Sequence, residues 1–326
     1  MDDIHDLTER FSRSITVLDG GLATELEARG HDLRGPLWSA TLLRDDPEAI
    51  AEVHRAFFEA GAQVAISATY QASYAGFESV GIDHDQAAFL MRRSVTLAQN
   101  VRDEVRPDDG LVAASIGPYG ATLSDGSEYR GDYGLSVQEL RAFHRPRLET
   151  LATTGSDLFA VETIPCLAEV EAVCAELVGS GHPAWLSLSV RDGRTANAES
   201  LEEAFAMAAE VDEIVAVGVN CCAPAEIAPA LERARAVTTK PLLAYPNSGQ
   251  EWNPQAREWE GASAHFSLAE VGVWKRLGAK LIGGCCRITP DDISRLAAFL
   301  AKTAPRWSRP VRTRSSSNLG AGSPFD

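Results

Sequence analysis

Apolar residues along this chain fall into two patterns that take turns. Short continuous runs rich in Val, Ile, Leu and Ala recur eight times, at residues 15–18, 63–68, 111–116, 158–162, 185–190, 214–220, 242–246 and 280–283. Continuous apolar character predicts parallel strands buried on both faces. The segments between them carry apolar residues at helical spacing. Residues 47–60 follow Asp46 as N-cap and Pro47 at the first helical position, with Ile50, Val53, Phe57 and Phe58 on one face. Residues 83–104, 136–153, 167–178, 200–209 and 225–237 read the same way. A last helix opens at Thr289-Pro290 and runs to Leu300.

Eight strands alternating with helices, and no Gly-rich dinucleotide turn after the first, predict a single (β/α)8 barrel. A doubly wound open sheet is the alternative. No internal repeat or linker divides the chain, so the barrel is expected to occupy residues 1–303. Beyond Thr303 the sequence turns to Arg, Ser, Gly and Pro, and residues 304–326 are expected to form a disordered tail.

Charge and cysteine placement narrow the function. A net charge of −16 over 326 residues argues against nucleic acid or an anionic membrane surface as partner. The start, Met1-Asp2-Asp3-Ile4, lacks the basic and apolar character of a signal peptide. No run approaches the roughly 20 apolar residues of a membrane span. A cytoplasmic protein is expected, in which six cysteines do not form a disulfide framework. Four of them stand as adjacent pairs, Cys221-Cys222 and Cys285-Cys286, whereas Cys166 and Cys174 stand alone.

In such a barrel the C-terminal strand ends converge on one mouth. Those ends carry Asp19-Gly20-Gly21, then Ser67, Thr69 and Tyr70, then Glu162-Thr163. Asn220-Cys221-Cys222, Tyr245-Pro246-Asn247 and Gly283-Gly284-Cys285-Cys286 complete the rim. Thiolates are soft ligands that suit zinc. Cys221, Cys285 and Cys286 predict a three-thiolate site with one open position, the mark of a catalytic metal, with Gly283-Gly284 allowing the required twist. Cys222, Cys166 and Cys174 are expected to be buried small hydrophobes. A vicinal Cys285–Cys286 disulfide is the rival. A thiolate-rich zinc favours binding a further thiol, ionised but still nucleophilic, which implies alkyl transfer to a thiol substrate. Asp19 and Glu162 could bind the ammonium of a small amino acid.

These residues resemble the homocysteine S-methyltransferase family. The likeness is carried by Asp-Gly-Gly at 19–21, Glu-Thr-Ile-Pro at 162–165, Gly-Val-Asn-Cys at 218–221 and Gly-Gly-Cys-Cys at 283–286. Further stretches at 37–40, 68–73, 115–120, 125–131 and 245–249 resemble the branch that uses S-methylmethionine. The resemblance implies zinc held by Cys221, Cys285 and Cys286. It also implies L-homocysteine contacts from Asp19, Glu162 and the turn carrying Ser67, Thr69 and Tyr70; Asn247 is placed with them as a substrate contact. A sulfonium donor could meet the faces of Tyr70, Tyr129 or Trp38. S-adenosylmethionine or betaine as donor and selenocysteine as acceptor are alternatives. From other classes, so are a structural or redox-sensing zinc site and a hydrolase using Asp19 and Glu162 as acid and base.

Overall fold

The computed structural model describes residues 2–33, 38–253, 258–261 and 265–303. The expected tail at 304–326, Leu37 and the side chain of Trp38 lie outside the described part.

Eight strands form one ring: β1 (Thr16–Val17), β2 (Val64–Ile66), β3 (Leu111–Ile116), β4 (Leu158–Ile164), β5 (Ala184–Leu188), β6 (Ile214–Asn220), β7 (Leu242–Tyr245) and β8 (Ala279–Ile282). Each pairs in parallel with its neighbours in chain order, and β8 returns to β1. The remaining gap between β1 and β2 is bridged at Leu18–Val64, with the Gln63 amide donating to the Val17 carbonyl at 2.7 Å. This is the expected (β/α)8 barrel.

Two apolar layers explain why the strands read as unbroken runs. Inside the ring, Leu18, Leu111, Trp185, Leu243, Tyr245 and Leu281 pack together. Outside it, Val112, Val161, Leu186 and Val217 face the helices. A strand buried on both faces has no polar phase to show. The N-terminal end of the ring is sealed by a helix, Asp2–Arg13, that the polar start of the chain did not suggest. Its Leu7 and Phe11, four residues apart on one face, join the interior cluster.

The seven expected helices form within two residues of their anticipated ends. Asp46 caps Pro47–Glu59 by accepting from the Ala49 amide, and Thr289 forms a capping box with Asp292 at the start of Pro290–Lys302. Helices at Leu22–Ala28, Tyr74–Ser79 and Leu268–Arg276 were not anticipated, the first two being too brief to show periodicity. Among the described residues no helix is long and apolar enough to cross a membrane.

Candidate active site at the barrel mouth

The mouth holds two adjoining cavities. The inner one, about 100 Å³, is lined by Asp19, Ser67, Tyr70, Glu162, Cys221, Cys285 and Cys286 among others. That space takes several waters or a small amino acid. The outer one, about 600 Å³, is lined among others by Asn247, and the two share Tyr129 and Cys221.

Asp19 follows β1 and is buried. Its Oδ2 accepts from the Ile66 amide at 2.7 Å, while Oδ1 has no partner among the described residues. Burial holds its carboxyl well above the usual range, and nearby Glu162 adds to the rise. Gly20 and Gly21 are required here for clearance rather than for an unusual backbone. A Cβ on Gly20 would stand 2.4 Å from the Ile288 carbonyl oxygen, and one on Gly21 would stand 2.8 Å from that of Cys285.

Glu162, on β4, accepts hydrogen bonds from the Ser115 hydroxyl and, at 3.2 Å, from Tyr245 Oη. Burial pushes its carboxyl up to about 7 against these two donors. Tyr245 Oη is fixed in turn by Trp185 Nε1 at 3.1 Å and Ser187 Oγ at 2.6 Å. The next residue, Thr163, has a φ of 61°, strained for a branched side chain. Asn220 holds it there: the Thr163 amide donates to Asn220 Oδ1 at 2.8 Å, and Asn220 Nδ2 donates to Thr163 Oγ1 at 2.7 Å. Two buried acids with no cationic side chain bound to either among the described residues suit an ammonium group between them.

The sulfur donors meet opposite these acids. Cys221 leaves β6 with a φ of 48° and donates its amide to the Tyr245 carbonyl at 3.3 Å. Cys285 and Cys286 leave β8, tied by the Cys285 amide to Pro246 O at 2.8 Å and by the Ser248 amide to Cys286 O at 3.1 Å. The three Sγ atoms lie within 4.8 Å of one another. Cys221 and Cys285 stand with their Cα atoms 5.6 Å apart and their sulfurs in contact, and Cys286 Sγ lies 3.9 Å from that of Cys285. The rival vicinal Cys285–Cys286 disulfide is not formed, those two sulfurs standing 3.9 Å apart. Gly283 and Gly284 also differ from expectation, since neither has a positive φ. A Cβ on Gly284 would stand 2.2 Å from Ile288 Cγ2, so close packing requires the glycines. Reduced, the trio presents three soft donors at one point, which fits a zinc ion. Burial pushes the Cys286 thiol up to about 12, and the charged neighbours Glu27 and Glu162 push the same way. A bare thiolate is thus disfavoured there, and a bound cation would supply the missing positive charge.

Ser67, Tyr70, Asp19, Glu162 and the three cysteines all face the inner cavity. Thr69 does not: it is fully buried behind, its Oγ1 donating to the Ser115 carbonyl at 2.7 Å and bonded to Ser67 Oγ at 2.8 Å. Asn247 faces the outer cavity, with its Oδ1 accepting from the Gly249 amide at 2.8 Å. Cys222 is buried in the apolar layer. Asn220 and Tyr245, expected at the rim without an assigned role, brace the site together with Ser115, which was not among the expected site residues. Their signal was present, as Ser115 and Ser187 are polar residues inside otherwise apolar strands.

The sequence model of the homocysteine S-methyltransferase family matches residues 16–300. A homocysteine S-methyltransferase from Escherichia coli K12 is 46% identical over 297 residues, covering 88% of this chain and 95% of the relative. Homocysteine S-methyltransferase YbgG from Bacillus subtilis is 41% identical, covering 92% and 96%. Among solved structures, the metallated form of the E. coli homocysteine methyltransferase MmuM superposes with a TM-score of 0.78 at 44% identity, over 88% of this chain and 96% of that one. Its oxidised form matches with the same TM-score.

Proposed function

This chain belongs to the homocysteine S-methyltransferase family, and from that premise we propose that it transfers a methyl group from S-methylmethionine to homocysteine with zinc held by Cys221, Cys285 and Cys286. The observation that carries this reading is the convergence of three sulfurs and two buried carboxylates on one cavity of amino-acid size. Bound zinc would supply the charge that ionises the incoming thiol while leaving its sulfur nucleophilic.

The protein's own residues do the rest. Asp19 Oδ1 and Glu162 accept the homocysteine ammonium, which favours their ionised forms over the protonated ones that burial otherwise promotes. Ser115 and Tyr245 keep Glu162 aimed into the cavity. Tyr129, shared by both cavities, offers its ring to the sulfonium donor. The homocysteine sulfur attacks the methyl carbon in line. The carbon–sulfur bond of the donor breaks with its electron pair on the departing sulfur. Both products are methionine, and the thiol proton is released. Alignment of two substrates in adjoining cavities supplies much of the rate.

The test is methionine formation from homocysteine and S-methylmethionine by reduced, zinc-loaded protein beside Cys285→Ala. The wild type should be active with stoichiometric zinc, and the folded variant should lose both. An active variant without zinc would overturn the metal assignment. A zinc-loaded wild type inert with this donor would overturn the donor assignment.

A further inference from the structure

The outer cavity is six times larger than the inner one and carries charge of both signs. Its wall includes a hairpin, Val190–Arg191 paired with Arg194–Thr195, turned by Asp192 and Gly193 at φ 53° and 68°. Two consecutive positive φ values describe the tight turn whose twist matches its strands. The hairpin is pinned to the helix Pro224–Val237, because Glu226 accepts from the Asp192 amide at 3.3 Å and the Gly193 amide at 3.1 Å. Arg191 is therefore presented to the cavity from a fixed backbone.

Two guanidinium groups line this space, and they differ in what they already hold. Arg130 is engaged with Asp125 at 3.6 Å, Asp132 at 3.4 Å and Ser127 Oγ at 2.9 Å. The Arg191 side chain has no hydrogen bond or ion pair among the described residues, and Asp192 beside it lines the same cavity. An unpaired guanidinium next to a carboxylate, in the wall of a cavity that Cys221 and Tyr129 also line, matches an α-amino acid head group. Donors of the methyl group differ in this respect, since a simple sulfonium has no carboxylate to offer.

We propose that Arg191 binds the α-carboxylate of the sulfonium amino acid and thereby selects the methyl donor. The inference rests on the methyl-transfer reading above. Arg191 sets the register in which the donor lies, with its carboxylate on the hairpin and its sulfonium at Tyr129. Homocysteine is assigned to the inner cavity, which the hairpin does not line.

The experiment compares zinc-loaded wild type, Arg191→Gln and Arg191→Lys, with Arg194→Gln as a control from the same hairpin. Each is assayed with S-methylmethionine and with (3-aminopropyl)dimethylsulfonium, its analogue without the carboxylate. Arg191→Gln should raise KM for S-methylmethionine about 10- to 100-fold and change KM for homocysteine less than about twofold. It should also abolish the wild type's preference for the carboxylated donor. Arg191→Lys should recover part of the loss, and Arg194→Gln should match the wild type. An Arg191→Gln enzyme that keeps both the donor KM and the preference overturns the inference while leaving methyl transfer intact. A wild type that accepts neither sulfonium overturns the donor reading and the inference together.

Discussion

Replacing Glu162 by Gln separates what the buried carboxylate costs the fold from what it gives the substrate. Burial holds this carboxyl at about 7 against an ordinary 4.5. Keeping it ionised at pH 8 therefore costs the folded protein about 3 kcal/mol. Because the folded value is raised, the carboxyl's stabilising contribution is full below about 4.5 and is lost as pH rises through about 7. Gln keeps an acceptor for Ser115. Its amide, however, faces a Tyr245 oxygen that already accepts from Trp185, which returns about 1 kcal/mol. The net gain at pH 8 is about 2 kcal/mol, or roughly 4 °C in Tm for a domain of this size. At pH 5 the wild-type carboxyl is largely protonated, and the advantage should vanish. The assay is thermal unfolding of reduced, metal-free protein at both pH values, beside homocysteine kinetics of the zinc-loaded form. There the variant should show KM for homocysteine raised about 10- to 100-fold. A variant less stable than wild type by the same margin at pH 5 and pH 8 would refute the reasoning. So would an unchanged homocysteine KM.

Three further substitutions test the frame around the site. Gly20→Ala places a methyl 2.4 Å from the Ile288 carbonyl oxygen and 2.6 Å from the Phe57 ring; it should cost about 1–3 kcal/mol in denaturant unfolding, and a neutral result would show that the turn yields. Asn220→Ala removes both bonds that hold Thr163 and the acceptor of Ser187 Oγ at 2.9 Å. It should lower stability by about 2–3 kcal/mol and weaken homocysteine binding, measured by calorimetry, whereas intact affinity would mean that Thr163 holds its geometry unaided. Cys222→Ala should keep one zinc per chain by elemental analysis and lose about 1 kcal/mol from the smaller core side chain. Loss of the metal would move Cys222 into the ligand set.

How much was legible follows from where each residue's neighbours come from. β3 and β6 have the ends their apolar runs suggested, because each strand is buried along its whole length. β1 shrinks to two residues, since a run of apolar side chains does not report where ladder bonds stop. The helix Asp2–Arg13 went unread although Ile4, Leu7 and Phe11 recur at helical spacing, because they are sparse among polar residues, and they pack on the barrel floor. Strand ends gathered Asp19, Glu162 and the cysteines without any alignment, a consequence of parallel strands sharing one mouth. The bracing of Glu162 by Tyr245 and of Thr163 by Asn220 spans 83 and 57 residues, and no local pattern encodes such pairs. Gly283-Gly284 misled in one respect: they suggest a backbone twist, while Gly284 serves to leave room for Ile288.

The strand β8 has two neighbours, β7 and β1, so the last strand made is also the one that locks onto the first. Cys285 and Cys286 ride at its end, 64 residues after Cys221 in the case of Cys285. A growing chain that has not yet released β8 holds Cys221 with no sulfur partner from that end. Only when β8 pairs with β7, itself paired with β6, does Cys221 meet the two sulfurs at the end of β8. The sulfur cluster therefore requires the last strand of the scaffold, and a chain that stalls before it lacks two of the three donors.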